Sequence, residues 1–339
     1  MPRLAEIWIQ LILEGSHRFM TDNRTARQDH IDCAHGLMIL HMMFFHLCDE
    51  TIVGTPFYYP ILHTLSFFMA WFFFKSGMFY REREILDVIK TGFKKLIIPA
   101  VVFSIFGFAF YWLTVNPHAT ISDEINHFYV FGSVHGHTPI WFLFSLFAVQ
   151  ISFTILRKCR LNPAIIAILS LGLYFSSKYI GFRPYWIYNT LLGLLFYSLG
   201  MLLKEQQYNR IATVICIAIY FGLFLFHTDI DFQYGKFKPF AIAIPWALAG
   251  CILTNTLFKK VPCLCVVPIN FFGRYAMEFY CTHIIVLYAI RILVNPAELS
   301  TTDIFLIFLL FAFYIIIFAI ILHFFKLKYI QWMFGKSIK

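Results

Sequence analysis

The sequence predicts an all-α, polytopic integral membrane protein with about ten transmembrane helices and both termini in the cytoplasm. Three observations carry that. Of 339 residues, 60% are hydrophobic and only 13% are charged, whereas soluble domains run about a quarter charged. Apolar stretches near the ~20 residues that cross a hydrocarbon core recur along the whole chain. Lys and Arg then cluster in alternate connections. With the N-terminus inside, twenty-one of them fall on the cytoplasmic side and five outside, with Lys75 within a span. That bias is the positive-inside pattern, and it accounts for the net charge of +9 without a nucleic-acid partner.

In chain order, residues 1–30 read as a cytoplasmic segment. They carry Glu6, Glu14, Asp22 and Asp29 and no small-residue cleavage site, so no secretory signal is read there. Leu4 to Gly15 is weakly amphipathic and reads either as a helix on the membrane surface or simply as an N-terminal helix. The expected spans are 33–48, 57–80, 96–115, 139–156, 163–177, 184–203, 211–226, 239–258, 275–294 and 304–325. Their cytoplasmic flanks hold Arg24 and Arg27; Arg81 through Lys95; Arg157, Lys158 and Arg160; Lys204 and Arg210; Lys259, Lys260 and Arg274; and Lys326. The outer flanks hold Lys178, Arg183, Lys236, Lys238 and Arg291. Together 31–327 form one membrane domain, followed by a cytoplasmic tail, 328–339. The eight cysteines are scattered without a CxxC pair and read as small buried hydrophobes, so no metal site is expected.

The first span carries titratable groups into hydrocarbon: HIDCAHGLMILHMMFFH, residues 30–46. Such residues mark function by default. On a helix His35 and His46 differ by only ~20° with ~16 Å of rise between them, and Asp32 lies within ~40–60° of the same line. His41 is ~140° from His46 and faces elsewhere, as a packed or locally hydrogen-bonded residue. Asp49 and Glu50 follow His46 by three and four residues, close enough to orient its ring. A neutral imidazole suits the activation of a hydroxyl near pH 7.

These residues also resemble a family. Asp32, His35, Gly36 and His46 are similar to the first span of the membrane acyltransferase-3 family, whose signature is Arg or Lys, ten residues, then His. Here the basic slot falls on His35. Ser66 to Tyr80 resembles the family's second span, with Lys75 where an apolar residue is usual. Phe93 to Ala100 resembles the opening of the third, and Thr138 to Phe147 its Trp-Phe-Leu motif. Gly273, Ala276, Tyr280 and His283 fit the late motif.

The resemblance implies an O-acyltransferase that uses acyl-CoA, chiefly acetyl-CoA, as co-substrate and modifies a hydroxyl of a cell-envelope glycan or its lipid-linked precursor. It implies the bacterial inner membrane, with the bilayer, acyl-CoA and the glycan as partners. His46 is then the general base, with an acyl-histidine intermediate as the competing scheme. Asp32, His35 and His283 are further catalytic candidates. Arg81, Arg83, Lys94 and Lys95 are candidates for the coenzyme's phosphates, with Lys75 and Ser76 nearby; Lys75, Ser76 or His35 would serve the oxyanion. The outer connection 116–138 holds His118, His127, His135, His137, Phe128 and Tyr129, as a glycan cover or an interfacial aromatic belt. Lys178 and Arg183 on that side would suit an acidic glycan. The alternative class is a proton-coupled transporter or flippase for a glycolipid or small solute; no inverted repeat with paired broken spans supports it.

Overall fold

Twenty-three residues, Asp29–Thr51, form helix α1, with no proline to interrupt it. In hydrocarbon every backbone N–H and C=O must be satisfied within the segment, so apolar runs of this length become helices. The computed structural model describes residues 29–52, 63–181, 183–205, 209–224, 226, 229–261, 264, 267–294, 300–325 and 328–336. The N-terminal stretch Leu4 to Gly15 and the start of the expected second span lie outside them.

After α1 come α2 (Phe68–Met78), α3 (Ile85–Thr114), α4 (Ile121–Phe131), α5 (Trp141–Lys158), α6 (Pro163–Ile180), α7 (Tyr185–Leu203) and α8 (Arg210–Phe224). A small antiparallel hairpin follows, β1 (Asp229–Asp231) with β2 (Lys236–Lys238). Then come α9 (Phe240–Lys260), α10 (Val267–Arg274), α11 (Ala276–Val294) and α12 (Thr301–Phe325). Among the described residues eight helices are long and apolar enough to cross a membrane. Of the ten expected spans, two are represented by shorter helices: α2, with 11 residues, and α8, with 15. Large apolar side chains face outward on the long helices, among them Ile105 and Leu113 on α3, Ile168 on α6, and Phe305 and Ile317 on α12. That surface suits lipid, not water. The protein is a polytopic, all-helical integral membrane protein.

Two elements depart from the sequence expectation. The third span begins eleven residues early, because Ile85–Gly92 runs through a π-turn, Phe93–Ile97, into Ile98–Thr114. Pro99 lacks an N–H and crowds the carbonyl four residues back. A π-turn just before it widens the helix there, so the helix runs on from Ile85 through the point where the span was expected to begin. The outer connection is not a plain loop. Thr120 and Asp123 form a reciprocal capping box that starts α4, and Gly132 ends it with φ 70°.

Helix α1 is central. It packs against α2, α9, α10 and α11; α2 packs in turn on α7, and α7 on α5 and α6. One very close crossing is α1 on α10. A Cβ added at Gly36 would lie 1.9 Å from the Ile269 carbonyl oxygen, and one at Gly273 1.9 Å from the Asp32 carbonyl oxygen. The two glycines bring backbone against backbone, as small residues do between membrane helices. The motif's Gly273 thus fixes where the histidine-bearing helix sits. Past α12 the chain turns back along the bundle as a 3-10 segment, Lys328–Phe334. Phe334 packs on Phe103 of α3, ring centroids 5.3 Å apart, and Lys336 donates to the buried Glu278 of α11.

Gly36→Ala is expected to destabilise the detergent-solubilised protein by about 1–3 kcal/mol or more, because neither backbone can yield. Gly172→Ala, which meets open space, should stay within ~1 kcal/mol of wild type in the same thermal melt.

Candidate active site

At the end of the bundle where the Lys and Arg clusters lie, α1 and α2 meet through two of the residues singled out above. The Lys75 ammonium on α2 donates to His35 Nδ1 on α1 at 2.7 Å. Lys75 also stands 5.6 Å from the centre of the Trp71 ring, one turn earlier on α2. Trp71 Nε1 in turn donates to Asn255 Oδ1 of α9 at 2.8 Å, so three helices hold the group in place. A lysine and a histidine on separate helices can share a hydrogen bond only if one accepts, so the ring nitrogen facing Lys75 carries no proton. Lys75 therefore holds the positive charge, beside the position where the first-span pattern has its basic residue.

Lys75, Ser76 and Arg83 line a pocket of about 250 Å³, with Tyr80, Gln150 and Thr154. Tyr80 and Arg83 also line a neighbouring pocket of about 520 Å³, together with Arg157, Lys158, Arg160, Glu82 and Glu84. In it Arg157 pairs with Glu82 at 3.2 Å and Lys158 with Glu84 at 2.6 Å. These basic residues make the two pockets electropositive despite the glutamates. Arg81, Lys94 and Lys95 are exposed and line neither. The backbone of Lys94 and Lys95 instead receives Gly335 of the returning C-terminal segment. In the sequence Arg157, Lys158 and Arg160 stand only as orienting charges. They join Arg83 because the end of α5 folds beside the connection between α2 and α3.

At the opposite end His46 lines a cavity of about 650 Å³, with Asp49, Glu50, Ser66, Thr138, Trp141, Tyr280 and Tyr288 among the other walls. Its ring centroid lies 5.2 Å from that of His283 on α11. His283 is fully buried, and its Nδ1–H donates to the carbonyls of Tyr280 at 2.8 Å and Phe279 at 3.1 Å. Carbonyls only accept, so that nitrogen carries the proton and Nε2 is left as a lone pair. Nε2 has no hydrogen-bond partner. A further buried ring has the same character: His137 Nε2–H donates to the Cys281 carbonyl at 2.9 Å, and its Nδ1 has no partner. The motif's Tyr280 donates its hydroxyl to the Pro139 carbonyl and so ties α11 to the start of α5.

The first span's polar stripe is thus divided between two places. Asp32 and His35 lie at the basic end, and His46 lies ~16 Å from His35 along the helix. Lys75 and Ser76 line the inner pocket and do not line the cavity at His46. His41 is buried and edge-on to Phe68, as expected of a packed residue. Glu50 faces Arg291 at 3.9 Å. In the outer connection His135 Nδ1–H donates to Glu124 at 2.7 Å, and His127 lies against it with ring centroids 3.9 Å apart. Burial, more than the neighbouring imidazole, lowers the pKa of His127 below its ordinary value. Lys178 lies over the Tyr174 and Tyr188 rings and Arg183 over Tyr185; neither cation lines the cavity. Among the described residues no three His, Cys, Asp or Glu side chains group so as to hold a metal ion.

The sequence offers no reason to place His137 or Ser66 here. His137 is one of several histidines in an outer connection, and Ser66 stands at the edge of an aromatic span. Ser66 lines the cavity, and its Oγ is buried without a hydrogen-bond partner.

A family model described as an acyltransferase domain matches residues 29–324, nearly the whole chain. No curated protein and no solved structure matches it.

Tyr280→Phe leaves the Pro139 carbonyl without its donor and is expected to cost about 1–3 kcal/mol, read as a lowered melting temperature in detergent with the helical signal retained.

Proposed function

The chain belongs to the acyltransferase-3 family, and on that premise we propose that it moves an acyl group, acetyl in the simplest case, from cytoplasmic acyl-CoA to a hydroxyl of an extracytoplasmic glycan or its lipid-linked precursor. One observation carries the reading. A single helix, α1, sets His46 in the wall of the outer cavity while its other end meets Lys75 at the inner, electropositive pocket. A donor made in the cytoplasm and an acceptor held outside need such a two-ended site. The basic face lies in the cytoplasm, and the membrane is the plasma membrane.

The coenzyme's phosphates rest among Arg83, Arg157, Lys158 and Arg160, where Glu82 and Glu84 are the counterions they displace. Arginine forks suit phosphate oxygens. The thin pantetheine arm then passes Lys75 and runs between helices toward His46. There the imidazole removes the acceptor hydroxyl's proton as its oxygen attacks the thioester carbon. The tetrahedral oxyanion collapses, the C–S bond breaks, and the thiolate takes the proton back from His46 as coenzyme A leaves, which restores the neutral imidazole. Once His46 is protonated it is a donor, and the unpartnered His283 Nε2 beside it is an acceptor. His283 thereby fills the role that a carboxylate has beside other catalytic histidines.

His46→Ala is expected to lower the transfer of label from acetyl-CoA to glycan by ~10²–10⁴-fold with the fold intact, measured on reconstituted protein. Unchanged turnover would remove His46 from the chemistry. Lys75→Met should weaken use of acyl-CoA on its own. His35→Arg combined with Lys75→Met puts the charge back on α1 and should recover much of that loss, seen as kcat/KM for acyl-CoA.

A further inference from the structure

Resting on the acyl-transfer reading, we infer that the C-terminal segment is a strap that holds α11, and with it His283, in register with His46, and that Lys336 is the positioning residue that fastens it. The strap consists of the 3-10 segment Lys328–Phe334 and the two residues after it, Gly335 and Lys336. It reaches the site from the basic end of the bundle, where Arg274 of α10 meets Asp29 of α1.

A single turn residue, Tyr275, separates α10 from α11. On one side of it α10 is held against α1 by the backbone contact at Gly273. On the other side α11 carries Glu278, Tyr280 and His283. Lys336 bridges this joint. Its ammonium lies 4.8 Å from the centre of the Tyr275 ring and donates to Glu278 Oε1 in the first turn of α11.

Glu278 is only 3% exposed. Among the described residues Lys336 is the one ion-pair partner of its carboxylate, and Oε2 has no hydrogen-bond partner. A buried carboxylate stripped of its cation is strongly unfavourable, so the first turn of α11 shifts toward water when Lys336 withdraws. That turn is the one on which His283 depends. The carbonyls of residues 278–281 each accept a side-chain hydrogen: Glu278 from Thr282, Phe279 and Tyr280 from His283, and Cys281 from His137. A shift of the turn therefore carries the His283 ring with it, away from its place 5.2 Å from His46. Lys336 lines none of the three cavities described above, so its influence on the site passes through Glu278.

The strap has a second anchor on α3. Phe334 packs on Phe103. Gly335, with φ 69°, fits against the π-turn so closely that a Cβ there would lie 2.6 Å from the Lys95 Cα. The left-handed backbone and the contact both call for glycine at that point.

The test uses the full chain in nanodiscs and two readouts. One is turnover of labelled acetyl-CoA, with an N-acetylglucosamine tetramer or water as acceptor. The other is amide hydrogen exchange in peptides that cover residues 275–283. Lys336→Met is expected to lower kcat by about 10–10²-fold, to leave KM for acetyl-CoA within about twofold, and to speed exchange across 275–283. Lys336→Arg should keep both readouts near wild type. Adding Glu278→Gln to Lys336→Met removes the stranded charge and should return most of the lost kcat. Unchanged exchange in Lys336→Met overturns the strap. Faster exchange with unchanged kcat overturns the positioning of His283. A double variant as impaired as Lys336→Met overturns the route through Glu278. If Lys336→Met does not fold, Phe334→Ala loosens the other anchor without touching the charge; it too should speed exchange across 275–283, and no change there overturns the strap. Exchange that responds as expected in a protein whose wild type turns over no acetyl-CoA keeps the strap and rejects the transferase reading.

Discussion

A titratable ring carried into hydrocarbon has to be met by other protein groups, and the arrangement of this bundle follows from that requirement. Helix α1 brings several such rings into the membrane. None of them has to face lipid, because α1 is enclosed by α2, α9, α10 and α11. The enclosure depends on the glycine contact between α1 and α10, where backbone touches backbone and no side chain larger than hydrogen fits. Without that close approach α10 and α11 could not bring Tyr280 and His283 to the level of His46.

The polar groups are then kept neutral or paired in separate layers. At the basic end Lys75 rests on His35 and Trp71 is anchored by Asn255. At the far end His137 and His283 each commit one nitrogen to carbonyls of the same turn of α11 and keep the other as a lone pair. Buried acceptors without donors are costly. The proposed transfer, in which His46 takes up a proton, gives that cost a reason. The orphaned nitrogen of His283 belongs to a ring whose centroid lies 5.2 Å from that of His46.

The exchange of charge between α1 and α2 explains a double departure from the family pattern. Along the chain there are two separate oddities: a histidine in the basic slot of the first span, and a lysine at an apolar position of the next one. In three dimensions they are one contact of 2.7 Å. The cation that the family pattern puts on the first span stands here on α2, against α1. The outer connection also gains in three dimensions what its sequence leaves open. Its capping box, Thr120 with Asp123, is a local helix-start signal present in the sequence, but it sits among histidines and aromatics that suit an interfacial loop equally well.

The sequence by itself determined the class of fold, the approximate spans, the orientation that its Lys and Arg favour, and the stripe that joins His35 to His46. Those properties are set by composition, by apolar length and by the pitch of one helix, all of which are local. It also carried the motifs of the family. It could not say that Arg157, Lys158 and Arg160 join Arg83, that His137 meets the same turn of α11 as His283, that Lys75 caps His35, or that Asp231 of the hairpin joins Asp49 and Glu50 in the cavity beside His46. Each of those is a meeting between helices far apart in the chain. Such meetings are decided by which faces pack together, and packing in a membrane is governed by close contact between surfaces of similar apolarity, which hydropathy along a single stretch of chain does not encode.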